Sequence, residues 1–151
     1  MKKFTFRLEK VLNHKSRLYE LAQNKYSQAL QELRSEEAKL DELRVEYSRC
    51  LFELSQKTTH TFRVRELGPY YRYLTFVKRE IAHQSRVVCQ AIEKEEACRK
   101  ALMEAAKEKE TLVKLKEKQY EEYVYVFNRE EQKFLDDITA AKFLRTVRSK
   151  T

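Results

Sequence analysis

Glycine and proline are nearly absent. The chain has 151 residues and one of each, side by side at Gly68-Pro69. Sheets and compact α/β folds turn often, and turns draw on these two residues for backbone angles that others avoid. A chain this poor in both has few turns and is punctuated at essentially one place. Without a glycine-rich loop, neither a P-loop nor a dinucleotide fingerprint can form. Cysteine is scarce and odd in number. Cys50, Cys89 and Cys98 are widely spaced with no C-x-x-C pair. That reads as reduced thiols packed on helices of a cytosolic protein, not as a disulfide framework or zinc site. His14, His60 and His83 are far apart and no H-E-x-x-H occurs, so neither metal nor cofactor is expected. No apolar run approaches the ~20 residues of a membrane helix. The N-terminus starts like a signal peptide, but Arg7, Glu9 and Lys10 interrupt it before an apolar core forms. A soluble, cytoplasmic protein is expected.

What is present is helix-forming sequence. Charged residues make up 37% of the chain and hydrophobic ones 42%, rich in Glu, Lys, Arg, Leu and Ala. From Leu8 a heptad stripe runs through Leu12, Lys15, Tyr19, Ala22, Tyr26, Ala29, Leu33, Glu36, Leu40, Leu43, Tyr47, Cys50 and Leu54. Alternating steps of four and three keep one stripe on one side of a helix. Lys15 and Glu36 interrupt it, and such polar seam residues lower stability while fixing register and partner. The pattern fades through Thr58-Thr59-His60-Thr61, and proline suits a first helical position, so helix resumes at Pro69. The second stripe passes Leu74, Val77, Ile81, Gln84, Val88 and Ala91, then Cys98, Leu102, Ala105 and Leu112. It then drifts to Leu115, Tyr123, Phe127, Phe134, Ile138 and Ala141, where a strict heptad is lost.

The expected fold is all-α: one long antiparallel two-helix coiled-coil domain, with helix one over about 4–56, a turn over about 57–68 and helix two over about 69–146. At 1.5 Å per residue, the first helix covers the second only to about Tyr120–Tyr125, leaving the last ~25 residues as an overhang. That overhang carries Tyr123, Phe127, Phe134, Leu135 and Ile138, which a lone helix cannot bury, so it reads as an interaction site or a self-association surface.

Carboxylates on such a rod face solvent, with no pocket to shift their pKa values, so catalysis is not expected. The net charge of +8 suits nucleic acid, an anionic membrane surface or an acidic partner. Against nucleic acid, 24 acidic residues are mixed among 32 basic ones, and no helix-turn-helix, zinc finger or basic zipper appears. Both ends are locally basic, with Lys2, Lys3, Arg7 and Lys10 at the start and Lys142, Arg145, Arg148 and Lys150 at the finish.

The chain opens with Phe4-x-Phe6-Arg7-Leu8-x-x-Val11-Leu12 and Lys15. Towards its end it carries Leu112-x-Lys114-Leu115-Lys116-Glu117-Lys118-Gln119, followed by Glu131-Gln132-Lys133-x-x-Asp136-Asp137-Ile138. These two stretches resemble the start and the C-terminal signature of the FliJ family of flagellar export proteins. The resemblance implies a non-enzymatic coiled-coil stalk, similar in shape to the γ subunit of rotary ATPases. Its paired termini would enter the hexameric ring of the export ATPase (FliI), while the turn-side half contacts the export gate protein (FlhA) and export chaperones are also handled. It would work in the cytoplasm at the base of the export apparatus, peripheral to the membrane through partners only. The implied gate-binding residues are Glu36, Leu40, Leu43, Tyr47, Tyr73, Val77 and Gln84, several of which also sit where the seam should be. The implied ATPase-binding residues are Arg7, Lys10, Tyr123, Phe127, Arg129, Lys133, Phe134 and Arg145. The alternatives are the equivalent stalk of a virulence-type secretion system, a basic scaffold binding nucleic acid, and a homodimeric structural coiled coil.

Overall fold

A computed structural model describes residues 3–58 and 64–148. They form two helices, α1 (Glu9–Thr58, 50 residues) and α2 (Val64–Arg148, 85 residues). The described residues contain no strand. The helix α1 starts from a turn in which the Glu9 N–H donates to the Phe6 carbonyl at 3.2 Å and the Leu12 N–H to that of Leu8 at 2.9 Å. Glu9 in the first turn and Lys57 in the last complement the helix dipole. By contrast, α2 begins five residues ahead of Pro69, which lies inside it rather than at its first position. Proline forgoes one N–H, and near a helix start that removes a single bond, to the carbonyl of Arg65. Of the expected turn, residues 59–63 lie outside the described residues.

The chain divides into two compact units. The central unit is Leu18–Ala105 and the terminal unit joins Met1–Arg17 with Ala106–Thr151.

In the central unit the helices run antiparallel along a heptad seam. Every seam position of α1 from Tyr19 to Leu54 is buried or half-buried. So are Leu74, Val77, Ile81, Gln84, Val88, Ala91, Cys98, Leu102 and Ala105 of α2. The tightest points are Ala29 and Val77, each 2% exposed. A small residue lets the facing backbone come close, and the β-branched one fills what is left. Register is written in polar contacts. Tyr73 donates to Glu46 at 3.0 Å, the Gln84 amide donates to both the Glu36 carboxylate (2.6 Å) and the Glu36 main-chain carbonyl (3.1 Å), and Lys94 pairs with Glu32. As α2 numbering rises, its α1 partners fall.

In the terminal unit the pairing is shorter and ends in rings. Lys15 meets Glu108 at 2.6 Å and Lys116 meets Glu9 at 2.8 Å. Leu12 is 9% exposed and Phe6 7%, the latter under the Lys116 ammonium, 5.9 Å from its ring centre. Phe4 packs against Tyr120 and Tyr123 at 5.3 and 5.6 Å between centroids. From residue 128 to residue 142 every side chain is exposed.

Candidate protein-binding surfaces

Two surfaces answer to the expected site residues, one in each unit. In the central unit, Glu36, Leu40, Leu43, Tyr47, Val77 and Gln84 all face the seam, with Leu40 and Val77 buried and the others half-buried. Their packing role is thus visible in the contacts. Glu36 accepts from Gln84 and from Lys39 (2.7 Å), and these bonds, that from Lys39 first, hold its pKa below the ordinary carboxylate range. Tyr73 alone of the set is exposed, at 42%. Donating to the Glu46 carboxylate pushes its phenol pKa upward, so the hydroxyl stays protonated. It borders an open cleft between the helices with Glu46, Arg49, Pro69 and Tyr70. Cys50 forms the cleft floor, and burial pushes its thiol pKa up, so it is a packing residue with little thiolate character.

In the terminal unit, Arg7 and Lys10 are exposed at the start of α1. Tyr123 and Phe127 differ from the expected free overhang. Both are half-buried, their centroids are 6.2 Å apart, and Tyr123 is held against Phe4. The reason is physical: the chain before α1 carries Phe4 and Phe6, which lengthen the pairing past the helix end and cap it with aromatic surface. Heptad spacing could not show this, because Phe4 and Phe6 precede the helix. The alternation Phe4-x-Phe6 beside the tyrosines of α2 was the available signal. Arg129, Lys133 and Phe134 lie on the exposed stretch, where Phe134 is 65% and Leu135 60% exposed. Arg145 is helical, but its side chain lies outside the described residues. Tyr71, Phe76 and Phe52 are further exposed aromatics that the seam reading passed over.

Among the described residues no group of His, Cys, Asp or Glu is placed to hold a metal, and no helix is long and apolar enough to cross a membrane.

Comparison with known families supplies the deciding observation. The sequence model described as "Flagellar FliJ protein" matches residues 3–148, nearly the whole chain. The chain belongs to the FliJ family. FliJ proteins are stalk- and chaperone-like components of flagellar type III protein export, structural and escort parts rather than enzymes. A solved structure from Chlamydia trachomatis, described as a YscO homolog, is similar at 18% identity and a TM-score of 0.45, covering 99% of this chain and 99% of that one. That likeness is too loose to carry an inference. Among curated proteins nothing matches.

Proposed function

We propose that this FliJ-family protein works in the cytoplasm at the inner face of the membrane, where its terminal unit engages the export ATPase ring (FliI) and promotes its assembly and hydrolysis. The observation that carries this reading is the exposed stretch of α2 over 128–142, on which Phe134 and Leu135 stand out at 65% and 60% exposed. Apolar side chains left this open on a charged helix are characteristic of an interaction surface. Arg7, Lys10, Arg129, Lys133, Phe134 and Arg145 would make the contacts. Tyr123 and Phe127, packed with Phe4, would hold the base of that surface rigid.

The turn-side half of the central unit would meet the export gate protein (FlhA) and receive export chaperones. Tyr73 and its cleft are the accessible part of the expected gate set. Glu36, Leu40, Leu43, Tyr47, Val77 and Gln84 would act by holding the helices in register beneath it.

The test is the ATP hydrolysis and hexamer content of the cognate export ATPase, alone, with the full chain, and with a chain ending at Asn128. Stimulation by the full chain that is lost with the shortened one supports the reading. Equal stimulation by both moves the contact off the exposed stretch, and none from either removes the ATPase as a partner.

A further inference from the structure

The outer face of α2 in the central unit carries a feature that the seam does not explain. Seam residues Leu74, Val77, Ile81, Gln84 and Val88 fix the heptad phase of this helix. Counted from them, the position farthest from α1 is occupied in successive heptads by Arg65, Arg72, Arg79 and Arg86. All are exposed, and none is in an ion pair among the described residues. The next equivalent position is Glu93, which ends the ladder. Between the arginines stand Tyr71 and Phe76, 59% and 55% exposed, and with Arg72, Thr75 and Arg79 they line a shallow groove on this one helix. Helix surfaces of ordinary solvated type mix charges of both signs. Here Lys78 adds to the positive charge, and Glu80, the one carboxylate described over 67–92, is half-buried on the seam side.

We infer that this face is a docking surface for an acidic helix of a partner protein, laid along α2 with carboxylates on the arginines and an apolar side chain between Tyr71 and Phe76. The repeat selects that occupant. The guanidinium groups recur every about 10.5 Å along the axis, being seven residues apart at about 1.5 Å each. A second helix with Asp or Glu at every seventh position repeats at the same distance and meets each arginine in turn. Every third phosphate of a duplex strand recurs at nearly this distance, ~10.2 Å, but the strand winds around its axis and leaves a straight row of arginines, whereas a helix laid alongside stays in line with it. A lipid surface offers charge but no repeat at all. Arginine suits the task because its planar fork grips a carboxylate through paired N–H donors and stacks on neighbouring rings. This surface lies on the opposite side of α2 from the buried and half-buried gate residues, with exposed Tyr73 at its flank, and it does not depend on the ATPase or gate reading.

The experiment uses the full chain and a helical peptide of three heptads, with Glu at every seventh position and one Leu facing the groove. A peptide of the same composition in scrambled order, a short DNA duplex and phosphatidylserine vesicles serve as competitors. The heptad-spaced peptide should bind, weaken with added salt, and lose about tenfold or more in affinity to the double variant Arg72→Glu, Arg79→Glu. A peptide with Lys in place of Glu should recover binding to that variant, which a folding defect could not produce. Phe76→Ala, also exposed, should weaken the wild-type peptide about threefold with helicity unchanged. Equal binding of ordered and scrambled peptides, or preference for the duplex or the vesicles, would overturn the proposal, as would no binding of the ordered peptide.

Discussion

The central and terminal units draw on the same two helices yet place their apolar residues differently. In the central unit the stripes of α1 and α2 face each other, and the buried side chains described, from Ala29 to Ala91, all come from seam positions. In the terminal unit the stripe of α2 outlasts its partner. Phe4 and Phe6 extend the cover a little further, and then Phe134, Leu135 and Ile138 are left in solvent. A heptad pattern therefore says which face of a helix is apolar, but whether that face is buried depends on how far the partner reaches. Burial in the central unit stabilises the fold, and in the terminal unit apolar surface is left uncovered.

Substitutions can break this contrast, beginning with the largest effect. Val77→Asp places an unpaired carboxylate at the most enclosed point of the central unit and should cost about 4 kcal/mol, read as a large fall in the urea midpoint of helical unfolding. A midpoint near that of wild type would mean the seam is not closed at Val77. Phe6→Ala, with its ring buried under Lys116, should cost about 2 kcal/mol, with amide exchange rising first in the terminal unit. If exchange instead rises evenly along the chain, the terminal unit has no separate stability. Phe134→Ala combined with Leu135→Ala should change stability by no more than about 0.5 kcal/mol while abolishing ATPase stimulation. A clear loss of helicity would show these side chains to be buried in solution.

The smallest effect concerns pH. Glu36 has its folded pKa lowered by bonds from Lys39 and Gln84, so its contribution is present above the unfolded pKa and lost as pH falls through the folded one. The difference in Tm between wild type and Glu36→Gln should therefore be steady near neutrality and shrink below about pH 4. A constant difference down to pH 3 or so would remove the carboxylate from the register contact.

Much of this was legible in the residues. The stripe from Leu8 to Leu54 predicted the protected positions of α1 one by one, because an underwound helix keeps a 3.5-residue repeat on one side. Lys15 and Glu36, which looked like flaws, turn out to hold the cross-helix contacts to Glu108 and Gln84. Four things were not legible. The choice of Gln84 as the partner of Glu36 is a matter of register, which the stripe of one helix cannot set without its partner's position. The start of α2 at Val64 was hidden because Pro69 suits a first helical position yet is also tolerated inside the opening turns. The packing of Phe4 and Phe6 escaped because helix one was expected from about residue 4, whereas α1 starts at Glu9 and the two rings precede it, off the heptad stripe. The Arg65–Arg86 ladder was likewise missed, since heptads are usually searched for apolar residues and not for charge.

The exposed stretch at 128–142 also has a thermodynamic consequence. Its backbone is already helical, so a protein that closes over it need not order the main chain, which in an unstructured tail would cost about 1–2 kcal/mol per residue. What remains to be given up on contact is side-chain rotamer freedom and the translational and rotational freedom that any association costs. Yet a helix without tertiary contacts is held by its own hydrogen bonds alone and opens often. Such a segment can associate quickly and release readily, with amide protection there rising and falling as its partner comes and goes.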